Sequence, residues 1–206
     1  MIYIVRHGQT VWNKKRMKQG RQDSPLTLKA IDQARNVSSI LRKDINNIND
    51  YRIIISPQWR CQQYASFICE LLDIDFTDCI VDERLREHSF GMWEGKTEEE
   101  IELDFPGFLE KRYQPQNRWT YIVPMGESYE LLSKRVSGLV EENKTTKTIY
   151  ICHEMVSKVM RGIILNMNTD QTLELNHPQN EVYRIHKNTV FTLNELGIKH
   201  ENHKQI

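Results

Sequence analysis

The sequence lacks any apolar run long enough to cross a membrane. A spanning helix needs about 20 consecutive apolar residues, whereas apolar runs here, such as Ile2–Val5 and Ile53–Ile55, end after a few residues. No basic region precedes an apolar stretch at the N-terminus, so we expect no signal peptide. The chain also lacks a basic excess, because 28 Lys and Arg balance 28 Asp and Glu. We therefore expect a cytoplasmic protein whose partners include neither a membrane nor nucleic acid.

Metal-binding and disulfide patterns are absent too. The four cysteines are Cys61, Cys69, Cys79 and Cys152, and neither a C-x-x-C pair nor zinc-ligand spacing occurs among them. We expect four reduced thiols, not a disulfide framework. His153-Glu154 begins like a zinc-protease helix, but that motif needs histidine where Ser157 stands. The sequence thus predicts neither a metal nor a cofactor.

Hydrophobic spacing predicts strands that alternate with helices. The predicted strands are Ile2–Val5, Ile53–Ile55, Cys79–Val81 and Thr148–Cys152, followed by a hairpin of Val182–Ile185 and Val190–Leu193. The predicted helices are Leu26–Asp44, Gln58–Leu72, Glu127–Glu142 and Glu154–Leu165. This alternation predicts an α/β fold, a three-layer α/β/α sandwich around a mostly parallel sheet.

The length of 206 residues suits one domain, 1–206. Periodicity is poor between Glu83 and Met125, except for a helical pattern near Glu98–Tyr113. We interpret this region as a loop followed by a small helical cap, inserted at about 96–125. The sequence gives no indication of the oligomeric state.

Candidate functional residues follow three of the predicted strands. Ligands of such sheets bind beyond the carboxyl ends of the strands. Arg6-His7-Gly8 follows the first strand, Ser56-Pro57 with Arg60 follows the second, and His153-Glu154 follows the fourth. Two histidines and two arginines therefore gather where a ligand should lie.

These residue types suit phosphoryl transfer. An imidazole that is partly neutral near pH 7 can attack phosphorus. A guanidinium offers a planar fork of donors that matches phosphate oxygens. A carboxylic acid such as Glu87, in the loop after the third strand, can protonate a leaving alkoxide.

In these motifs the sequence resembles the histidine phosphatase superfamily, the phosphoglycerate mutase-like proteins, along nearly its whole length. The motifs that carry the resemblance are Arg6-His7-Gly8 with Thr10 and Asn13, Gln19-Gly20, Asp23–Thr27, Ser56-Pro57 with Arg60, Arg84–Glu87 with Phe90-Gly91 and Trp93–Gly95, Pro124–Ser128, and His153. The resemblance implies that His7 is the nucleophile and Glu87 the proton donor. It implies that Arg6, Arg60, His153 and Asn13 bind the phosphoryl oxygens.

Other residues near these motifs are candidates for contact with the rest of the substrate. They are Thr10, Gln19, Gly20, His88 and Glu154, and we expect His88 to lie at the rim. Glu154 departs from the family pattern, because glycine commonly follows the second histidine in this family. Its negative charge near a phosphate site should either point away or pair with an arginine. The remaining histidines, His177, His186, His200 and His203, are interpreted as surface residues.

The function that these motifs favour is metal-independent hydrolysis of small phosphomonoesters through a phosphohistidine. Phe90, Glu98 and Met155 stand where phosphoglycerate mutases have tyrosine, lysine and asparagine, which favours a phosphatase. A phosphoglycerate mutase is the alternative enzyme. The alternative to an enzyme is a domain that binds a phosphorylated ligand with little or no catalysis. Glu154 is the feature of the sequence that favours it.

Overall fold

The computed structural model describes residues 1–187 and 189–201 of the chain, with the backbone alone for 198–201. Its strands are β1 Ile2–Arg6, β2 Arg52–Ile55, β3 Ile80–Val81, β4 Thr148–Cys152, β5 Val182–His186, β6 Thr189–Asn194 and β7 Gly197–Glu201. They form a sheet in the order β3-β2-β4-β1-β5-β6-β7. The pairs from β3 to β1 are parallel, and those from β1 to β7 are antiparallel.

The helices are α1 Val11–Lys14, α2 Leu28–Asp44, α3 Trp59–Leu72, α4 Glu98–Asp104, α5 Phe108–Tyr113, α6 Tyr129–Asn143, α7 Glu154–Ile164 and α8 Thr169–Glu174. Several begin at side chains that accept hydrogen bonds from the first free backbone N–H groups. Thr10 caps α1, Thr97 caps α4 and Ser128 caps α6. These caps explain where the helices start.

Alternation along the strands explains the layers, since successive side chains point to opposite faces of a sheet. Ile2 and Ile4 of β1 pack in the cluster that contains α6 and α7. Tyr3 and Val5 pack in the cluster that contains α2 and α3. Because both faces are covered, the central strands are almost continuously apolar and buried.

The predicted three-layer α/β fold is confirmed. The sheet is mixed, because the predicted hairpin, now β5 and β6, continues it with antiparallel strands. Two short helices, α1 and α8, and strand β7 were not predicted from the sequence, since each is short and largely polar. No helix in the described part of the chain has the length and apolar character that crossing a membrane requires.

Residues 96–125, the predicted cap insertion, contain α4 and α5, which are joined by residues 105–107. The segment packs through Ile101 and Val123 onto Phe90 and Trp93, a small cluster separate from the two cores of the sandwich. That this segment is a cap inserted into a single domain, 1–206, stays a prediction.

Candidate active site

Strand pairing brings the sequence-predicted residues to one edge of the sheet. Arg6 of β1 lies opposite Cys152 of β4, and the His7 N–H donates to the Cys152 carbonyl at 3.0 Å. The next residues, His7 and His153, therefore leave their strands side by side. Their ring centroids are 5.1 Å apart, with the rings edge to face.

The protonation state of His7 follows from its hydrogen bonds. Nδ1 lies 2.8 Å from the Gly8 carbonyl, which can only accept, so Nδ1 carries the proton. Nε2 accepts a hydrogen bond from Nε of Arg60 at 3.2 Å. Burial, the Arg60 charge and the Arg6 charge hold the pKa of His7 well below its usual range. The ring is therefore neutral, with the lone pair of Nε2 facing a guanidinium.

Arg60 is held almost entirely by backbone and by one carboxylate. Its side chain is 1% exposed, and Nη1 donates to the Gln22 carbonyl at 2.7 Å and to Oδ1 of Asp23 at 2.8 Å. Nη2 donates to the Gly20 carbonyl at 2.8 Å. These bonds fix the plane of the guanidinium. They leave Nε and one hydrogen of Nη2 on the side of His7.

The structure shows which residue pairs with Arg6, a question that the sequence did not answer. Nη1 donates to the His177 carbonyl at 2.7 Å, and Oε2 of Glu154 lies 2.8 Å from the same nitrogen. Of the two predicted outcomes for Glu154, pairing with an arginine is therefore confirmed.

His177 was interpreted as a surface residue, and this is wrong. It is fully buried, with Nδ1 2.6 Å from Oγ of Ser157 and Nε2 3.2 Å from the Glu181 carbonyl. Its polar sequence neighbours gave no indication of burial. His186 is exposed, as predicted. The side chain of His200 and the whole of His203 lie outside the described residues.

His153 is fully buried beside His7. Its Nε2 lies 2.7 Å from Oγ of Ser56, the residue after β2. Burial lowers the pKa of His153 well below its usual range, and the Arg60 charge adds to this. A neutral ring at this point adds no second buried charge, and its nitrogens lie against Oγ of Ser56 and Sγ of Cys61.

Glu87 has the environment of a proton donor. Its side chain is buried; Oε1 accepts from the His88 N–H at 2.9 Å and Oε2 from the Met155 N–H at 3.4 Å. Burial raises the pKa of Glu87, while the bond from His88 and the charge of Arg60 oppose this. A carboxyl of raised pKa keeps its proton nearer neutral pH.

Two residues that the sequence reasoning missed hold the backbone of Glu87. Oε1 of Gln58 accepts from the Glu87 N–H at 2.6 Å, and Nη2 of Arg135 donates to the Glu87 carbonyl at 3.2 Å. Arg135 is in turn paired with Glu127 at 2.6 Å. Glu127 belongs to a motif of the resemblance, but nothing in its spacing indicated Arg135.

Thr10, Asn13 and Gln19 form a small network at α1. Oδ1 of Asn13 accepts from the Thr10 N–H at 3.1 Å and from Nε2 of Gln179 at 2.9 Å. Oγ1 of Thr10 donates to Oε1 of Gln19 at 2.9 Å. Only the amide Nδ2 of Asn13 is left to bind a phosphate. Nε2 of Gln19 is buried and has no hydrogen-bond partner among the described residues.

Gly20 contributes its backbone. Its carbonyl accepts from Nε2 of Gln58 at 2.9 Å as well as from Arg60. Its φ is +53°, and an added Cβ would lie 2.1 Å from Oε1 of Glu94. A side chain at this position would therefore be strained and would displace the Glu94 carboxylate, which accepts from the Arg21 and Gln22 N–H groups.

His88 does not lie at the rim, which corrects the prediction from sequence. Its ring is fully buried, with centroids 4.8 Å from Phe90 and 5.0 Å from Tyr129. Neither ring nitrogen has a hydrogen-bond partner within residues 1–187 and 189–201. The apolar character of the neighbouring rings, invisible in local sequence, explains its burial.

A basic cleft of about 180 Å³ has Met155, a neighbour of Glu87, among its lining residues. Phe90, Tyr129 and Met155 are among its walls, and Met155 is the residue whose N–H reaches Glu87. Four cations also line it, namely Lys18, Arg112, Arg118 and Lys158. The cleft and the Glu87 carboxyl are therefore linked through Met155, although Glu87 itself does not line the cleft.

The four cations differ in the groups that pair with their charges. Lys18 pairs with Glu98 at 2.6 Å and Arg118 pairs with Glu174 at 2.9 Å. Lys158 donates to a backbone carbonyl at 3.0 Å. Arg112 is 5% exposed, has no ion pair in the described part of the chain, and leaves Nη1 without a hydrogen-bond partner.

Aromatic rings surround Arg112. Its guanidinium carbon lies 5.5 Å from the ring centroid of Phe90, 5.9 Å from that of Trp93 and 5.7 Å from that of Tyr129. Such contacts attract a cation, by about 0.5–2 kcal/mol each. They do not replace an anion, because a buried charge without a counter-charge costs several kcal/mol.

The chain matches the family model of the histidine phosphatase superfamily (branch 1) over residues 2–195. It is 30% identical over 208 residues to "Putative phosphoserine phosphatase 2" of Hydrogenobacter thermophilus, a match that covers 95% of each chain. It is 34% identical over 170 residues to "Probable phosphoglycerate mutase GpmB" of Salmonella paratyphi C, which covers 81% of this chain and 75% of that one.

Among solved structures, the alpha-ribazole phosphatase of Shigella flexneri superposes with a TM-score of 0.76. The identity is 21%, and the match covers 98% of this chain and 99% of that one. This likeness shows a shared fold. The family match over nearly the whole length and the 30% identical relative show more: the chain belongs to the histidine phosphatase superfamily.

Proposed function

We propose that the protein hydrolyses small phosphomonoesters through a phosphohistidine on His7. The observation that carries this is the neutral His7 ring, with Nδ1 bound to the Gly8 carbonyl and Nε2 at 3.2 Å from Nε of Arg60. The nucleophilic lone pair of His7 and the Nε–H of a phosphate-binding arginine thereby lie against each other. Membership of the family supports the assignment.

The first step forms a bond between Nε2 of His7 and phosphorus and breaks the bond from phosphorus to the leaving oxygen. Arg6, Arg60 and His153 hold the phosphoryl oxygens, and the Glu87 carboxyl gives its proton to the departing alkoxide. Fixed donors aimed at the transferring group stabilise the charge that it carries in the transition state.

The second step reverses these roles with water. The Glu87 carboxylate takes a proton from a water molecule as that water attacks phosphorus, and the bond from phosphorus to Nε2 breaks. Inorganic phosphate and the neutral imidazole result, and Glu87 is protonated again. No step needs a group that the chain does not supply.

The basic cleft indicates the class of substrate. A buried guanidinium with an unused nitrogen is suited to an anion, and the cleft shares Met155 with the surroundings of the Glu87 carboxyl. The substrate we propose is therefore a small phosphomonoester whose leaving group carries a carboxylate. Phosphoserine, named in the relative from Hydrogenobacter thermophilus, has this form.

A pair of substrates tests this assignment. O-phosphoserine and O-phosphoethanolamine differ by one carboxylate. We expect kcat/KM to be about 10–100-fold higher for O-phosphoserine, which is the worth of one charged hydrogen bond. Arg112→Met keeps the volume but removes the charge, so this preference should fall to about threefold or less.

Lys111→Met is the matched control, because Lys111 is the exposed neighbour of Arg112 on the same helix. It should keep the parent preference. An Arg112→Met variant that discriminates between the two substrates as well as the parent does would remove Arg112 from substrate recognition.

The basic cleft also suits a phosphoglycerate, and a relative is named as a phosphoglycerate mutase, so this alternative needs its own assay. 3-Phosphoglycerate is supplied with and without 2,3-bisphosphoglycerate, and both 2-phosphoglycerate and inorganic phosphate are followed. We expect inorganic phosphate without need of the primer. Fast, primer-dependent formation of 2-phosphoglycerate with negligible free phosphate would identify a mutase.

A further inference from the structure

Glu154 occupies an unusual position for a carboxylate, directly beside a phosphate-binding arginine. It is the first residue of α7, and its Oε2 lies 2.8 Å from Nη1 of Arg6. The Arg6 side chain is 16% exposed and that of Glu154 27%, so water screens the pair only in part. A negative charge here repels phosphate, and its presence requires an explanation from the geometry.

The donors of Arg6 supply that explanation. A guanidinium has five N–H groups, two of them on Nη1. One hydrogen of Nη1 is donated to the His177 carbonyl at 2.7 Å, and the same nitrogen is ion-paired with the Glu154 carboxylate. Nε is buried without a hydrogen-bond partner, and no hydrogen bond of Nη2 occurs among the described residues. Arg6 therefore has one occupied end and one open edge.

The open edge is the one that binds oxyanions best. Nε and Nη2 donate in parallel, which matches two oxygens of a phosphoryl group. Arg60 has the same arrangement, with Nη1 saturated by Gln22 and Asp23 and its Nε beside His7. In both arginines a protein carboxylate holds Nη1. For Arg60 that carboxylate is Asp23, and for Arg6 it is Glu154.

We propose that Glu154 is a positioning residue, which together with the His177 carbonyl holds Nη1 of Arg6 so that the Nε–Nη2 edge faces the phosphoryl group. This assignment rests on the proposed function, in which Arg6 binds phosphoryl oxygens. Holding the long arginine side chain in place before substrate binds avoids the loss of its freedom during the reaction.

Glu154→Ala and Glu154→Gln separate the polar contact with Arg6 from the negative charge. Alanine removes both, whereas glutamine keeps an acceptor oxygen for Nη1. With para-nitrophenyl phosphate we expect Glu154→Ala to lower kcat/KM about tenfold, mainly through kcat, and to weaken inhibition by inorganic phosphate. Glu154→Gln should stay within about threefold of the parent.

A double-mutant cycle with Arg6→Ala shows whether Glu154 acts through Arg6. In the Arg6→Ala background, Glu154→Ala should cause no further loss. Asp170→Ala is the control for removal of a helix N-terminal acid, because Asp170 is exposed in the first turn of α8. It should keep the parent kinetics.

Two results would overturn the proposal. Tighter inhibition by phosphate in Glu154→Ala would show that Glu154 competes with the substrate for Arg6. Equal losses in the parent and Arg6→Ala backgrounds would show that it acts elsewhere. In either case a parent enzyme that still forms a phosphohistidine leaves the proposed function standing, whereas a parent that forms none contradicts the function itself.

Discussion

Replacement of His7 with alanine is expected to abolish turnover and to prevent formation of a phosphoenzyme. The Nε2 lone pair is the nucleophile that the geometry supplies, and methyl cannot replace it. Enzymes that lose a covalent nucleophile lose about 10⁶-fold in kcat. We expect His7→Ala to fall to the detection limit with para-nitrophenyl phosphate and with O-phosphoserine.

The measurement combines turnover with rapid quenching of labelled enzyme. A phosphohistidine is labile in acid and stable in base, which distinguishes it from a phosphoserine. Labelling should be present in the parent and absent in His7→Ala. His186→Ala, which changes an exposed histidine at the end of β5, is the control and should retain both labelling and turnover. Full activity of His7→Ala would contradict the mechanism.

The strand ends were the part of the site that the sequence predicted most directly. Short apolar runs locate buried strands, and parallel strands place their carboxyl ends at one edge. His7 and His153, far apart in the chain, therefore had to meet once β1 and β4 were adjacent, and the pairing of Arg6 with Cys152 brings this about. Both predicted strands end within one residue of the observed ones.

What the sequence could not predict depends on packing between distant segments. Arg112 lies on a six-residue helix among charged neighbours, so its local pattern indicates a solvated surface. Its burial comes from Phe90, Trp93 and Tyr129, which belong to other segments. His88 and His177 were missed for the same reason: hydrophobic periodicity shows the apolar faces of an element but not the rings that cover a polar side chain.

Asn13 shows that a residue role taken from a family resemblance can be incomplete. The motif places an asparagine three residues after Thr10, at the third position of α1, and implies a phosphate contact. In the structure its carbonyl oxygen completes a capping box with Thr10. Since one oxygen is used in the cap, the predicted phosphate contact depends on the amide nitrogen alone, and that contact stays a prediction.

Replacement of Glu87 with glutamine should cost about 10²–10⁴-fold in kcat when the leaving group is a poor one, such as the alkoxide of O-phosphoserine. Glutamine keeps an oxygen that can accept from the His88 or the Met155 N–H, so the loop geometry should persist. It has no proton to give. Burial raises the pKa of the Glu87 carboxyl, and an amide has no such titration.

The dependence on the leaving group separates acid catalysis from simple damage to the site. Para-nitrophenolate leaves with little help from a proton, so Glu87→Gln should lose much less activity with its phosphate ester than with O-phosphoserine. Glu83→Gln changes an exposed carboxylate of the same loop, and it should match the parent with both substrates. Because a distorted phosphate site would slow both reactions alike, equal losses would remove Glu87 from the role of proton donor. A loss confined to the poor leaving group would instead locate the proton transfer in the step that breaks the bond from phosphorus to oxygen.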